Sequence, residues 1–106
     1  MLTLAKRLAQ KSDNQFKHAA LILSSGRLIG QGYNSTTQHA ESRAIKQAKN
    51  LTLIKKSTLI SIRVNETGEF RNSRPCIWCL EGMKDAKIKR VIFYLDGGWV
   101  ELDIKK

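Results

Sequence analysis

Two short stretches of the sequence combine side chains that can hold a metal ion and move a proton. Residues 39–41 are His-Ala-Glu, and residues 75–79 are Pro-Cys-Ile-Trp-Cys. Cysteines spaced i, i+3 at the start of a helix share one face, so both sulfurs can reach one ion. Together with His39, Cys76 and Cys79 supply three ligands for Zn²⁺. The fourth tetrahedral position would then be open, as it is in catalytic zinc sites.

Glu41 has the position expected of a general acid–base. It lies two residues after His39, so its carboxylate can face a zinc-bound water without binding the metal. Zinc lowers the pKa of a bound water from near 16 to about 7. Glu41 could take the proton of this water and return it to a ring nitrogen and a leaving amine. We also expect the helix N-terminus to lower the pKa of Cys76 and Cys79, so that both bind as thiolates.

Two other interpretations use the same residues. A closed structural zinc site would recruit His18, the other histidine of the chain, but it would give Glu41 no role. A redox pair of thioredoxin type, formed by Cys76 and Cys79, would leave residues 39–41 unused. The open zinc site is the interpretation that uses all four groups.

Length and composition restrict the class of protein. A chain of 106 residues predicts one domain, residues 1–106. With 42% hydrophobic and 26% charged residues, it is too apolar for a disordered tail and too charged for a membrane span. The N-terminus lacks the apolar core of a signal peptide. We therefore expect a cytoplasmic protein without a membrane partner, whose two cysteines stay reduced.

Positive charge is unevenly distributed along the chain. The net charge is +10, and residues 1–65 contain eleven Lys and Arg against two acids, whereas residues 66–106 contain eight against seven. Such a segment could attract a polyanion or a phosphorylated small molecule. A solvated basic surface that keeps the protein soluble explains it equally well.

Hydrophobic periodicity predicts the elements that must position these groups. Helices are expected at residues 2–12, 39–49 and 76–86, the last with Pro75 in its first turn. Strands are expected at residues 19–23, 27–33, 58–64, 91–95 and 100–104, with a loop between 64 and 75.

The connections predict a three-layer α/β/α fold. Helical crossovers between residues 27 and 95 require parallel strands, and the short turn at residues 96–98 forces an antiparallel last strand. We expect a five-stranded mixed sheet in the order 2-1-3-4-5. The starts of the second and third helices then meet at the carboxyl ends of parallel strands, where α/β sheets bind their ligands.

His-Ala-Glu followed 34 residues later by Pro-Cys-x-x-Cys resembles the zinc-dependent cytidine/deoxycytidylate deaminase superfamily. The resemblance extends over residues 18–104, because residues 20–34 are similar to the family's first hairpin. It implies a cytidine deaminase-like fold, Zn²⁺ held by His39, Cys76 and Cys79, and Glu41 as the proton shuttle.

The resemblance implies that Asn34 and Ala20 contact the substrate. With Ala40, Ser73 and Arg74 they form the expected set of substrate-binding residues. Asn34 could instead be a turn residue at the end of a strand, and core packing explains Ala20 better from sequence alone. Arg74 stands where many relatives have serine or glutamate, and it could meet a substrate phosphate or be solvated.

We therefore expect hydrolytic deamination of a cytosine nucleoside or nucleotide, meaning cytidine, deoxycytidine or their monophosphates, to the uracil product and ammonia. A single-stranded DNA or RNA or tRNA editing deaminase is the alternative, and a non-catalytic zinc-stabilised binding module is a further one. A homo-oligomer is also expected, because relatives close an open site with a neighbouring subunit.

Overall fold

Three helices and six strands make up the part of the chain that the computed structural model describes, residues 2–11, 17–34, 39–48 and 54–104. The helices are α1 (Leu2–Ala9), α2 (Ala40–Ala48) and α3 (Ile77–Asp85). The strands are β1 (Lys17–Ser24), β2 (Arg27–Tyr33), β3 (Thr58–Val64), β4 (Phe70–Arg71), β5 (Arg90–Leu95) and β6 (Gly98–Asp103). None of the helices in these ranges is long and apolar enough to cross a membrane.

The strands form one mixed sheet in the order β2-β1-β3-β5-β6, with β4 paired to β3. β1 is antiparallel to β2 and β3, β3 is parallel to β5, and β6 is antiparallel to β5. The predicted strand order and antiparallel last strand are therefore confirmed. The sequence prediction missed β4, because a two-residue strand is too short to show a periodicity.

Helices cover both faces of this sheet, which confirms the three layers. Along β1, Ala20 and Ile22 pack into a core with α2 and α3, whereas Ala19 and Leu21 pack into a second core with α1. This alternation is the period of two that a strand imposes on its side chains. The α2 and α3 face is the one that carries the chemistry.

Two glycines of β2 let α2 approach the sheet closely. A Cβ built on Gly30 would lie 2.7 Å from the carbonyl oxygen of Ala44, and one on Gly32 would lie 2.6 Å from that of Ala40. Real Cβ atoms essentially never come this close to another atom. The two glycines therefore allow α2, which begins immediately after His39, to pack close against β2.

Several element boundaries differ from the prediction. α3 begins at Ile77 with Cys76 as its N-cap, so Pro75 precedes the helix instead of occupying its first turn. β6 begins at Gly98 because the turn is the two-residue Asp96-Gly97, with φ of 49° and 87°. α1 ends at Ala9, and the predicted helix ends at residues 12 and 49 lie outside the described residues.

Candidate metal centre and active site

The N-terminal ends of α2 and α3 bring the predicted metal ligands together. His39 immediately precedes α2, Cys76 caps the N-terminus of α3, and Cys79 lies in the first turn of α3. Their donor atoms all lie within 4.8 Å of one another, and among the described residues they form a group suited to a metal ion. The helix starts thus meet at one edge of the sheet, as the topology predicts.

The spacing of these atoms fits tetrahedral zinc. His39 Nδ1 lies 3.2 Å from Cys79 Sγ and 3.7 Å from Cys76 Sγ, and the two sulfurs are 3.5 Å apart. Tetrahedral zinc with ordinary bond lengths places two sulfurs about 3.8 Å apart and each sulfur about 3.5 Å from a ligating nitrogen. A disulfide would need about 2 Å, and both cysteines are free. The donor set therefore fits Zn²⁺ and not a disulfide.

The prediction that the helix N-terminus lowers the pKa of both thiols is wrong for Cys79. Burial raises the pKa of the Cys79 thiol, and the nearby Glu41 carboxylate raises it further. Desolvation of a thiolate outweighs the field of a helix end here. A bound cation is therefore what would make Cys79 a thiolate, since metal binding displaces the thiol proton.

Glu41 is a buried acid beside this donor cluster. It is 1% exposed, which is rare for a glutamate. Within the described part of the chain its Oε1 has no hydrogen-bond partner, and His18 Nδ1 approaches it to 3.7 Å. A buried carboxylate oxygen without a partner is costly. Such an atom is typical of a site built to receive a ligand or a proton.

The hydrogen bonds of His18 define which ring nitrogen faces Glu41. The Ser61 hydroxyl donates its proton to the Ser73 carbonyl at 2.9 Å, and His18 Nε2 lies 2.7 Å from the same Ser61 oxygen. Because a hydroxyl has one proton, Ser61 must accept from His18 Nε2–H. In a neutral ring Nδ1 then carries no proton, and this bare nitrogen faces Glu41.

The surroundings of His18 favour that neutral ring. Burial lowers its pKa below the ordinary 6.5, Glu41 opposes the shift, and Arg63 and His39 add to it. With Nε2 held by Ser61 and Nδ1 facing Glu41, His18 does not join the group of metal ligands. The closed zinc site with two histidines therefore has no support in the geometry.

A cavity of about 270 Å³, here called the inner cavity, opens onto these groups. It is lined by His18, Asn34, His39, Glu41, Arg63, Asn72, Ser73, Arg74 and Cys76. The buried carboxylate and two of the three metal-ligand candidates thus share one space with several hydrogen-bonding side chains. This is the arrangement expected of a small-molecule site.

Three of the five predicted substrate-binding residues line the inner cavity. Asn34 accepts a bond from the His18 backbone N–H at 3.0 Å, and Arg74 is exposed at the rim. Ser73 is buried, donates to the Ser61 carbonyl and accepts from the Tyr94 N–H, each at 2.8 Å. The Ser73 hydroxyl thus joins β3 to β5.

Ala20 and Ala40 instead lie in the core between β1 and α2, fully buried. Neither lines the inner cavity. Substrate contact through their backbone stays a prediction.

Arg63, Asn72 and Ser61 belong to the site but were not predicted from the sequence. Alternation along residues 58–64 does put Ser61 and Arg63 on the face opposite Ile62 and Val64, so their face could have been predicted. Asn72 follows β4, which pairs with β3, and so lies near Arg63 in the cavity. Its place could not be predicted, because a strand of two residues shows no periodicity.

The mixed sheet between two layers of helices, with the His-Cys-Cys centre at its edge, defines a zinc deaminase-like domain. Over residues 1–95 the chain matches the family described as the cytidine and deoxycytidylate deaminase zinc-binding region, and it belongs to this family. The family match and the donor geometry confirm zinc as the expected cofactor.

Solved structures share the fold. The dCMP deaminase of cyanophage S-TIM5 superposes with a TM-score of 0.65 at 20% identity, covering 85% of this chain and 75% of that one. A mutant cytidine deaminase from Mycobacterium tuberculosis superposes with a TM-score of 0.60 at 17% identity, covering 86% of this chain and 78% of that one. RibD from Acinetobacter baumannii superposes with a TM-score of 0.64 at 22% identity, covering 85% of this chain and 25% of that one. The chain thus spans about a quarter of RibD, and at these identities the likeness concerns the fold.

Proposed function

We propose that the chain catalyses hydrolytic deamination of a cytosine nucleoside or nucleotide, releasing ammonia and the uracil product. The observation that carries the proposal is the buried Glu41 carboxylate beside the cluster of His39, Cys76 and Cys79, at one small cavity. A structural zinc site gives no reason for an acid there, whereas general acid–base chemistry requires one.

Each residue would have a defined part in the reaction. His39, Cys76 and Cys79 would hold zinc, which when bound supplies a water with a pKa near neutrality. Glu41 accepts a proton from the attacking water as the new bond to the C4 carbon of cytosine forms. It returns that proton to the ring nitrogen, and then passes the second proton of the same water to the exocyclic amine, so that a carbonyl oxygen remains on C4. The bond from C4 to nitrogen then breaks, and ammonia leaves.

His18 would position Glu41 during these transfers. Its Nε2–H is committed to Ser61, so Nδ1 can accept a hydrogen bond from Glu41 while the carboxyl carries a proton. The Ser61 and Ser73 bonds keep the ring from turning. His18 therefore acts through Glu41 and not on the substrate.

The antiparallel β6 supports a small substrate. In this respect the chain resembles the enzymes that act on free cytidine, whereas in polynucleotide editors the fifth strand is usually parallel. A single-stranded nucleic acid editor is the second candidate, and the two arginines that line the inner cavity, Arg63 and Arg74, favour it.

Purified zinc-loaded protein incubated with cytidine, deoxycytidine, both monophosphates and cytosine-containing oligonucleotides tests the proposal. We expect uracil product and equimolar ammonia from at least one monomeric substrate. Glu41→Gln is the matched control, because it keeps the size of the side chain and removes the base. One zinc per chain without turnover of any cytosine substrate would instead support the non-catalytic binding module.

Self-association and cytoplasmic location belong to the same proposal. Ile77 and Trp78, at the start of α3 beside the metal centre, are 67% and 81% exposed. An apolar pair of this kind is suited to contact with a second copy. The free thiols suit a reducing compartment such as the cytoplasm. Light scattering of wild type and Trp78→Ser would test the self-association.

A further inference from the structure

Ser73 lies between the two parallel strands at the edge of the sheet that carries the metal centre. The pairing of β3 with β5 covers residues 58–60 and 90–92, short of the carboxyl ends of both strands. Beyond the paired residues, the Ser73 backbone N–H donates to the Tyr94 carbonyl of β5 at 2.8 Å, and its hydroxyl bonds to β3. The segment that leads to the metal centre thus joins the two strands where their own pairing ends.

Ser73 and Ser61 exchange hydrogen bonds across this space. The Ser73 hydroxyl donates to the Ser61 carbonyl at 2.8 Å, and the Ser61 hydroxyl donates to the Ser73 carbonyl at 2.9 Å. The Ser73 oxygen also accepts from the Tyr94 N–H at 2.8 Å, and both serines are buried. Because a hydroxyl has one proton, Ser73 has none left to donate to a substrate. Its bonds serve the protein itself.

A short and stiff stretch of chain connects Ser73 to the metal centre. Cys76 follows three residues later, and the buried Pro75 lies between them. Proline fixes its own φ and restricts the residue before it, here Arg74, to extended backbone. The bonds that hold Ser73 therefore also limit where Cys76 can lie.

The other end of the serine pair reaches the proton shuttle. His18 Nε2–H donates to the Ser61 hydroxyl at 2.7 Å, and His18 Nδ1 lies 3.7 Å from Glu41 Oε1. A continuous chain of hydrogen bonds thus connects Ser73 through Ser61 to the ring that faces Glu41.

We propose that Ser73 is a positioning residue that holds Cys76 in place relative to the pair of His18 and Glu41. The metal ligand and the Glu41 carboxylate must address the same water, so their separation affects the proton transfer. Removing a group that supports a metal ligand commonly costs about 10- to 100-fold in metal affinity or activity. The inference rests on the proposed function for its effect on kcat, whereas its effect on zinc affinity requires no reaction.

Ser73→Ala tests this role, with Ser73→Thr as the conservative variant that keeps the hydroxyl. We expect Ser73→Ala to bind zinc about tenfold more weakly than wild type, measured by competition with a chelator. At saturating zinc, kcat should fall about tenfold while KM stays near that of wild type. Ser73→Thr should recover part of both losses.

Ser57→Ala is the matched control, because Ser57 is also a buried serine beside β3 and β5, but at their amino ends. Its hydroxyl donates to the Ile54 carbonyl, and its own carbonyl accepts from the Lys89 N–H at 2.8 Å. Ser57→Ala should lose stability and keep its zinc affinity and kcat. Equal losses of zinc affinity and kcat in Ser57→Ala and Ser73→Ala would reflect stability alone and overturn the proposal.

A raised KM in Ser73→Ala, with kcat and zinc affinity intact, would make Ser73 a substrate contact and also overturn the proposal. Should Ser73→Ala not fold, Ser61→Ala provides a second test. It deletes the bond to the Ser73 carbonyl from β3, which holds none of the three metal ligands. Zinc binding should weaken in Ser61→Ala as well, and an unchanged zinc affinity there would contradict the positioning role.

The zinc measurement separates this inference from the proposed reaction. If wild type binds zinc but deaminates no cytosine substrate, the proposed function fails. A zinc affinity that falls in Ser73→Ala and not in Ser57→Ala then still supports the positioning role. Equal zinc affinities of wild type and Ser73→Ala overturn it, whatever the activity of wild type.

Discussion

The two edges of the sheet both gather positive charge, but they are built differently. At the carboxyl ends of β3 and β5, Arg63 lines the inner cavity together with the buried Glu41, and Arg71 of β4 stands opposite Arg63. At the amino ends of the same strands, a cavity of about 430 Å³ is surrounded by lysines. These are Lys55, Lys56, Lys84, Lys87 and Lys89, with Ile88 and Ile104 completing the lining.

The two edges differ in how firmly the charged side chains are held in one position. All five lysines are exposed and lie at the end of α3 or on turns. An ammonium group there stays hydrated, and its side chain can rotate freely. None of the residues lining that cavity is an acid, a cysteine or a histidine. At the carboxyl edge, by contrast, His18, Ser61 and Ser73 hold one another by hydrogen bonds. Positive charge alone therefore does not distinguish a site from a solvated surface, whereas buried polar groups with defined partners do.

Removing the metal should have the largest effect at the carboxyl edge. His39→Ala and Cys79→Ser are expected to lose zinc, deaminase activity and part of their stability, because each deletes a ligand and metal binding is coupled to folding. Metal analysis by mass spectrometry should give one zinc per chain in wild type and close to none in the variants.

His18→Ala is the matched control for His39→Ala, because it removes the other histidine. It should keep its zinc, since His18 bonds to Ser61 and faces Glu41. Zinc lost from His18→Ala and retained in His39→Ala would reverse the assignment of the two histidines.

Glu41→Gln should have the next largest effect. The variant should keep its zinc and its fold while kcat falls by at least 10²- to 10⁴-fold, the usual contribution of general acid–base catalysis. Glu81→Gln, at an exposed acid of α3 that lines neither the inner cavity nor a neighbouring cavity, is the control and should not lower kcat. Turnover by Glu41→Gln within tenfold of wild type would exclude the carboxylate as the proton shuttle.

His18→Phe should lower kcat about tenfold and change KM little, because it removes the ring nitrogen that faces Glu41 and could accept its proton. His18→Gln, which can still reach Ser61, should recover part of the rate. Steady-state kinetics on the best cytosine substrate provide the measurement. A change in KM with kcat intact would show that His18 contacts substrate instead.

The same histidine predicts how stability depends on pH. Because burial lowers the folded pKa of His18 below 6.5, the unfolded chain binds this proton more tightly. The free energy of unfolding should therefore fall as the pH drops through about 6.5, by at most about 1.4 kcal/mol per pH unit. Urea unfolding of wild type and His18→Phe between pH 5 and 8 isolates this contribution. Parallel pH curves for the two proteins would contradict it.

The sequence predicted most of the framework at the carboxyl edge. The periodicity of strands and helices and the short turn before β6 predicted the order of the strands. They also predicted that His39 and Cys76 lie close together. The donor set followed from residue type and spacing, because zinc accepts few ligand combinations.

The remaining features depend on contacts that no local pattern encodes. The raised pKa of Cys79 comes from burial, and burial is a property of the packed molecule. The alignment of Arg63 with Arg71 depends on the register of a two-residue strand. The surplus of basic residues in 1–65 also does not form one surface, since Lys55 and Arg63 lie at opposite edges of the sheet.

One lysine of the amino edge occupies a backbone conformation that favours glycine. Lys87 follows the C-cap Ala86 of α3 with φ of 66°. Its N–H donates to the Lys84 carbonyl at 3.0 Å, and the Ile88 N–H donates to the Met83 carbonyl at 3.1 Å. These are the two bonds of a Schellman motif, whose left-handed residue is usually glycine.

Lys87→Gly should therefore stabilise the protein, which is the smallest of the expected effects. The left-handed conformation costs a non-glycine residue about 1–2 kcal/mol, and the greater freedom of glycine in the unfolded chain offsets about half of that. The free energy of unfolding should rise by about 0.5–1 kcal/mol in urea unfolding, with deamination unchanged.

Lys87→Ala is the control, because it removes the same charge and keeps the backbone cost. If Lys87→Gly is no more stable than Lys87→Ala, the backbone at residue 87 is not the source of the cost. If both variants slow deamination, the lysine edge contributes to function, and the contrast between the two edges of the sheet fails.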